Sequence, residues 1–345
     1  MIGNHAILRR RDFGPPAPWP VVVTIPARDE AARIVPCLEA AAHSLRGRGG
    51  LVVVVNGSSD RTHARGAAWF EATGTPGVLL ETPAFVTGGV GQARREAVAA
   101  CVPRLAPGAA VMTTDADSQV FPDWVDANLD ELDRADLICG NVLPDPAEFA
   151  RLPPIIAERG AIEGAYVALT IAARTMLDPV AHDPDPTHLS EPGASLAFRM
   201  ALYEDVGGIP PVPSGEDRAF AAVADARGWR VRHSSLARVR TSCRLRGRAP
   251  GGMARALAAR IEDDDPFADE MLEPAAQTLL RARLRAGLRQ IYANGTASPA
   301  ALGCIREALG ALPRVRMRLS DLRRELPLLS AAVAGCGIEP ERQSA

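Results

Sequence analysis

Short β-branched runs alternate with longer Ala-rich segments of helical period through the first half of the chain. VVVTIPA is followed by ARIVPCLEAAAHSLR, LVVVVNG by DRTHARGAAWFEA, and GVLLET by a Gly-rich turn into QARREAVAACV. AAVMTTDAD, PDWVDANLDELD and DLICGNV continue the series. Strands buried on both faces show as continuous apolar runs, so the pattern predicts an α/β, doubly wound fold: a mostly parallel sheet with helices on both faces. Residues 148 to 176 read as one long helix, LDPVAHDPDPTHLSEPG as a loop, SLAFR as a strand, GEDRAFAAVADARG as a helix and WRVRHSSLARVRT as strand material. From about Met253 the pattern changes to Arg-rich helices without strand candidates, ending in the polar stretch GIEPERQSA. The boundaries this predicts are an N-terminal extension at 1–19, an α/β domain at 20–252, a helical C-terminal region at 253–336 and a tail at 337–345.

Composition narrows the function classes. A formal net charge of -2 over 345 residues gives no global basic field of the kind that draws a protein to nucleic acid or anionic lipid. The six cysteines (Cys37, Cys101, Cys139, Cys243, Cys304 and Cys336) are far apart and form no C-x-x-C pair, which argues against a zinc site and a redox dithiol. The N-terminus MIGNHAILRRRDFG has no apolar leader core, and AYVALTIAA falls well short of the ~20 apolar residues that span a bilayer. A soluble, cytoplasmic protein without a transmembrane segment is expected.

In an open parallel sheet, ligands bind outside the carboxyl ends of the strands. Three polar sets stand at such ends: Pro26-Ala27-Arg28-Asp29-Glu30, Asn56-Gly57-Ser58-Ser59-Asp60, and Asp115-Ala116-Asp117-Ser118. Each alone has a plain explanation as a turn, an N-cap or solvated loop carboxylates. Two carboxylates at i and i+2 repel unless they share a cation, and Mg²⁺-like ions take one or two carboxylates plus substrate phosphates. The Gly88-Gly89 and Gly91 cluster lacks the G-x-G-x-x-G spacing of a dinucleotide fingerprint.

The order PARDE, VVNGSSDRT, GVGQARREA, TTDADSQVFPDW, GASLAFRMALYEDVGG and PSGEDRAF resembles the family 2 nucleotide-sugar glycosyltransferases of the GT-A fold, a Rossmann-like sheet domain, over roughly residues 20 to 250. The resemblance implies a metal-dependent enzyme, with Mn²⁺ or Mg²⁺ as cofactor, that moves a sugar from a nucleotide diphosphate sugar to a hydroxyl acceptor, inverting with a carboxylate base. It places Pro26, Arg28, Glu30 and Asn56 at the nucleotide. Asn56 stands where the family often has an aspartate that binds the base, which leaves the base identity open. Arg94 is placed at the diphosphate, Asp117 on the metal, and Asp115 on the ribose or the metal. Gly193, Ala194 and Ser195 resemble the turn that contacts sugar or acceptor. Glu216 and Asp217 match the acidic pair, with Asp217 as base and Glu216 behind it or on the acceptor; stabilisation of the helix N-terminus is the plainer role for both.

His233 is a further candidate metal ligand, although the family pattern puts that ligand nearer Thr241 and Ser242. His182 and His188 lie in the loop before the sugar turn, and His188 is a candidate acceptor contact. TSCRLRGRAPGG, residues 241 to 252, carries Arg244, Arg246 and Arg248 among glycines without interleaved aromatics, which fits a loop closing over a diphosphate better than a nucleic-acid patch. The helices after Met253 are a dimerisation element, an acceptor-site wall or a partner surface. A retaining GT-A enzyme with a glycerate-type acceptor and a catalytically degenerate GT-A binding module are the alternatives.

Overall fold

The computed structural model describes residues 7–16, 18–247, 252–294 and 299–335. Its strands are β1 (Arg9–Phe13), β2 (Trp19–Ala27), β3 (Gly49–Asn56), β4 (Gly77–Thr82), β5 (Leu105–Thr113), β6 (Ser118–Val120), β7 (Leu137–Pro144), β8 (Leu196–Arg199) and β9 (Val231–Thr241). They form one sheet in the order β1-β4-β3-β2-β5-β8-β7-β9-β6. Strands β4, β3, β2 and β5 are mutually parallel. Strand β8 runs against both β5 and β7, β9 runs with β7, and β1 and β6 close the two edges antiparallel to their neighbours.

The continuous apolar runs are divided between the two faces by the two-residue period of a strand. Val21, Val23, Ile25, Leu51, Val53 and Val55 pack with Leu38, Phe70 and Trp124 of the helices Ile34–Leu45, Thr62–Thr73 and Trp124–Leu132. Val22, Val52, Val54, Val78 and Val111 face Ala97, Val98 and Phe220 of the helices Gly89–Cys101 and Glu216–Ala226. Each fully buried Val or Ile contributes roughly 1.5–3 kcal/mol, so these central strands make a rigid base for the turns at their carboxyl ends.

Contacts divide the chain into two units, Met1–Arg151 with Ser190–Arg255, and Leu152–Leu189 with Ala256–Ala345. This differs from the predicted boundaries in two places. Within the predicted extension, residues 9–13 belong to the sheet, because β1 pairs with β4 from Arg9 opposite Glu81 to Phe13 opposite Gly77. The RRRDF run looks like a polar lead-in because an edge strand carries charge that blocks further pairing. The predicted helix over 148–176 is two helices, Pro146–Phe149 and Ile155–Leu177, interrupted at Pro153 and Pro154, and the second belongs with the C-terminal helices.

In that second unit Tyr166, Leu169, Leu272, Leu322, Leu329 and Val333 form the core, and the Tyr166 hydroxyl donates to the Glu273 carbonyl at 2.7 Å. Its helices after residue 253 are Met253–Glu262, Ala275–Asn294, Pro299–Ala311 and Leu319–Gly335, the first of them beginning in the sheet unit. Among the described residues this stretch holds no strand beyond the isolated Phe267–Arg318 bridge. The predicted tail at 337–345 lies outside the described residues. Among the described residues no helix is long and apolar enough to cross a membrane.

The place of β1 gives a stability test. Phe13 stacks on the fully buried Phe70 with ring centroids 4.7 Å apart and planes at 11°. Phe13→Ala is expected to cost about 1–3 kcal/mol, less than a fully buried Phe because Phe13 is only partly buried. Urea denaturation reads this directly; an unchanged midpoint would return residues 1–19 to the status of an extension.

Candidate active site

The turns after β2 and β3 are stitched to each other before any side chain is presented. Asp29 adopts a positive φ of 51°. Its N–H donates to Ser58 Oγ at 3.0 Å, and its Oδ1 accepts the Ser59 N–H at 2.7 Å. The Glu30 and Ala31 N–H groups donate to Thr62 Oγ1 (2.8 Å) and Asp60 Oδ2 (2.9 Å). The polar residues of NGSSDR thus serve the PARDE turn across space, and Glu30 is turned inward to 5% exposure.

Arg94, only 2% exposed on the helix Gly89–Cys101, is the centre of the site. Nε donates to Glu216 Oε1 at 2.9 Å, Nη1 to Thr113 Oγ1 at 2.6 Å, and Nη2 to Asp115 Oδ1 at 2.6 Å. Gly193 covers the guanidinium so closely that a Cβ there would lie 2.3 Å from Nη2. Burial alone would make Arg94 less basic; Asp115 and Glu216 outweigh it, and its pKa is raised. Burial likewise pushes the Glu216 carboxyl up, against the pull of Arg94. Asp217, next on the same helix start, accepts the Gly193 N–H at 2.7 Å through Oδ2 and the Arg218 N–H at 2.9 Å through Oδ1.

A second guanidinium completes the arrangement. Arg244 Nη2 lies 2.5 Å from Glu30 Oε1 and 2.9 Å from Asp117 Oδ2. Burial, then Asp115, and also Glu30 push the Asp117 carboxyl up to about 6, with Arg244 and Arg33 opposing. A cleft of about 90 Å³ adjoins Asp117 and is lined in part by Arg33, Gln119, Glu148, Arg240 and Ser242.

The structure thus brings Glu30, Arg94, Asp115, Asp117, Glu216, Asp217 and Arg244 together, with Arg28 exposed just past β2 and Pro26 buried within it opposite Val54. Several expected roles are corrected. Asn56 is buried and its amide nitrogen donates to the Pro83 carbonyl at 2.9 Å and toward Thr82 Oγ1 at 3.4 Å, so its donors tie β3 to β4 instead of facing a base.

Ser195 is fully buried, its hydroxyl accepting from Trp124 Nε1 (2.8 Å) and donating to the Ala237 carbonyl (3.1 Å), and Ala194 sits in the core beside it. Both side chains face the core, and Gly193 leaves room for the Arg94 guanidinium. His233 is not carried to the aspartates: it pairs with Cys139 and faces Glu191 Oε1 at 3.8 Å. Strand β9 meets the aspartate turn only at Thr241, opposite Ser118, with the Ser242 N–H on the Asp117 carbonyl. His188 lies in a loop of the second unit. Arg248 lies outside the described residues.

Sequence reasoning missed Thr113 and Glu148. Thr113 closes an apolar strand and looks like β-propensity alone. Glu148 accepts from Arg33 Nη2 at 3.0 Å and from the Cys243 N–H at 2.8 Å, contacts about a hundred residues apart that carry no local signal.

Two measurements probe this geometry. The Asp117 carboxyl is raised from 3.8 to about 6, so the folded chain holds its proton more tightly than the unfolded chain. Ionised Asp117 therefore costs stability, with the cost growing from about pH 4 to pH 6 and complete above that. Asp117→Asn should raise stability by about 1–3 kcal/mol at pH 7.5 and by progressively less toward pH 5. A gain that does not vary with pH would reject the assigned burial of charge. Ser195→Ala should cost about 2–3 kcal/mol by leaving Trp124 Nε1–H and the Ala237 carbonyl unpaired. The same variant should leave the KM for any substrate unchanged, whereas a raised KM would restore Ser195 as a substrate contact.

The family model for glycosyl transferase family 2 matches residues 22–195, just over half of the chain. No match is found among curated proteins. Among solved structures, the chain is similar to the mannosyltransferase PcManGT from Pyrobaculum calidifontis in complex with GDP-Man and Mn²⁺, at 20% identity, 94% of this chain, 79% of that one and a TM-score of 0.49. It is also similar to S. aureus TarS in complex with UDP-GlcNAc (18% identity, 91% and 87% covered, TM-score 0.47). A third is glucosyl-3-phosphoglycerate synthase from Mycobacterium tuberculosis in complex with Mn²⁺, UDP and phosphoglyceric acid (19% identity, 70% and 76% covered, TM-score 0.43). The assignment rests on the family match, which runs from β2 through the Arg94 helix and the paired aspartates to the Gly193 turn: the chain belongs to glycosyl transferase family 2, with its sheet in the GT-A arrangement.

Proposed function

We propose that this glycosyltransferase takes its sugar from a nucleoside diphosphate donor, holds a divalent cation through Asp117 and Asp115, and passes the sugar to an acceptor hydroxyl with inversion, Asp217 taking the proton. One observation carries the reading: among the described residues the five carboxylates of Glu30, Asp115, Asp117, Glu216 and Asp217 gather at the carboxyl ends of the central strands, where Arg94 and Arg244 pair with the first four and Arg33 also acts on Asp117. Such an excess of negative charge is costly unless further positive charge joins it. Hard oxygen donors fit Mg²⁺ or Mn²⁺. Among the described residues no three His, Cys, Asp or Glu side chains converge into a closed metal site, which suits an ion whose other ligands are phosphate oxygens.

When bound, the cation would offset negative charge on the departing diphosphate. The chain's own part is positional. Arg94 fixes Asp115 through a bond from a rigid, buried guanidinium, and Glu216 holds Arg94 from the opposite side, so Glu216 supports the site without touching the acceptor. Arg28, exposed beside the PARDE turn, is free to reach toward the nucleotide, and Arg244 adds charge on the Asp117 side. Asp217 stands in the first turn of the helix Glu216–Ala226. Both of its oxygens receive an N–H, yet each keeps a further lone pair for an acceptor hydroxyl.

The reading is tested by thermal shift with UDP, GDP, CDP and dTDP, each with and without Mn²⁺. One nucleotide should stabilise the protein only with the cation, and Asp117→Ala should erase the effect. Equal shifts with and without Mn²⁺ would remove the cation from the proposal. Asp217→Asn should keep the nucleotide shift while transfer falls roughly 10²- to 10⁴-fold, the scale of a lost general base. Near-normal turnover would discard Asp217 as base. Product anomers read by ¹H NMR decide the stereochemistry: a product with the donor's own anomeric configuration would replace inversion by retention.

A further inference from the structure

One nitrogen of Arg244 bridges two carboxylates, at 2.5 Å from Glu30 and 2.9 Å from Asp117, with its side chain only 19% exposed. It therefore does for Asp117 what a metal cation would do: it sets a positive charge against the carboxylate. The backbone beneath it is anchored independently. The Ser242 N–H donates to the Asp117 carbonyl at 3.3 Å, and the Cys243 N–H to Glu148 Oε2 at 2.8 Å. Glu148 is itself held by Arg33 at 3.0 Å. Immediately beyond Arg244, residues 245–247 are exposed. The base of the segment is thus fixed, while the long Arg244 side chain lies at the border of the exposed stretch.

We infer that Arg244 is a positioning residue that competes with the divalent cation for Asp117 and yields that carboxylate when a nucleoside diphosphate offers its guanidinium phosphate oxygens instead. The inference rests on the reading of Asp117 as a cation ligand. Two positive centres on one carboxylate repel each other, so the cation alone binds poorly while Arg244 is seated. A diphosphate brings negative charge for both, and each then strengthens the other's binding by the same factor. Arginine suits the exchange because its planar fork matches phosphate as well as carboxylate. The site would thereby bind cation and nucleotide together instead of trapping a cation beforehand.

The test is Mn²⁺ binding to the full chain without nucleotide, read from the EPR signal of free Mn²⁺, and repeated with saturating UDP, GDP, CDP and dTDP in turn. Arg244→Gln should bind Mn²⁺ alone about tenfold more tightly than wild type, and nucleotide should improve that binding by a smaller factor than in wild type. Arg244→Lys, which restores the charge, should return Mn²⁺ affinity toward wild type, a rescue that mere loosening of the segment would not give. If Arg244→Gln does not fold, Arg244→Met carries the same comparison. Unchanged or weaker Mn²⁺ binding in the uncharged variant, or a Lys variant that binds as tightly as the Gln variant, overturns the competition. If that happens while nucleotide still tightens Mn²⁺ binding in wild type, the metal reading stands without it. If wild type binds no Mn²⁺ with any of UDP, GDP, CDP and dTDP, both are overturned.

Discussion

The site depends on the burial of one guanidinium. Arg94, at 2% exposure, is paid for by three acceptors that come from distant parts of the chain: Thr113 at the end of β5, Asp115 just after it, and Glu216 at the start of a helix a hundred residues later. Breaking one partner from such a buried pair typically costs about 3–5 kcal/mol, because the remaining charge has no water to turn to. The constraint therefore works as a gauge. A chain that satisfies Arg94 has necessarily brought the strand carrying the paired aspartates against the helix carrying Glu216 and Asp217. The Gly193 turn completes the gauge, since only a residue without a side chain passes so close to Nη2 while giving its N–H to Asp217.

Much of this was legible in the sequence because the physics involved is local or periodic. Runs such as VVVV at 52–55 have one explanation in an α/β chain, a strand covered on both sides, and the residues just beyond such runs are where ligands bind. Asp115, Asp117, Glu216 and Asp217 could be picked out on that ground together with the order of motifs. The less legible parts are those where a side chain's partner is remote. Asn56 has the chemistry of a base-reading residue and is consumed by the backbone of the neighbouring strand end. Ser195 stands in the turn that should meet substrate, yet its hydroxyl faces inward because Trp124 Nε1 needs an acceptor in the core.

Strand edges were harder still. The charges of RRRDF conceal β1, and SQV is too short to announce β6, although β6 is what draws the end of β9 to the aspartate turn. His233 failed for the same reason in reverse. A histidine on a strand known to run toward the site looks like a ligand until the register is known, and the register puts Thr241, eight residues on, beside the aspartates. A two-residue side-chain period fixes which face a residue takes; it says nothing about how far along the strand the neighbour lies.

The two arginines of the site show how similar charge can serve opposite ends. Arg94 projects from the middle of a regular helix, and two of its three acceptors, Thr113 and Glu216, are buried, so exchanging either would empty a buried polar contact without replacement. Arg244 follows the last residues of β9 on irregular backbone, held by two contacts to its preceding neighbours, with exposed residues immediately after it. Its partners, Glu30 and Asp117, retain solvent access on the Asp117 side, where the side chain is 18% exposed against 4% for Glu216. In the proposed exchange a cation takes the place of Arg244 at Asp117, while the buried Arg94–Glu216 pair stays closed. Rigidity around Glu216 and the proposed exchange at Asp117 would let one site be both scaffold and binding surface.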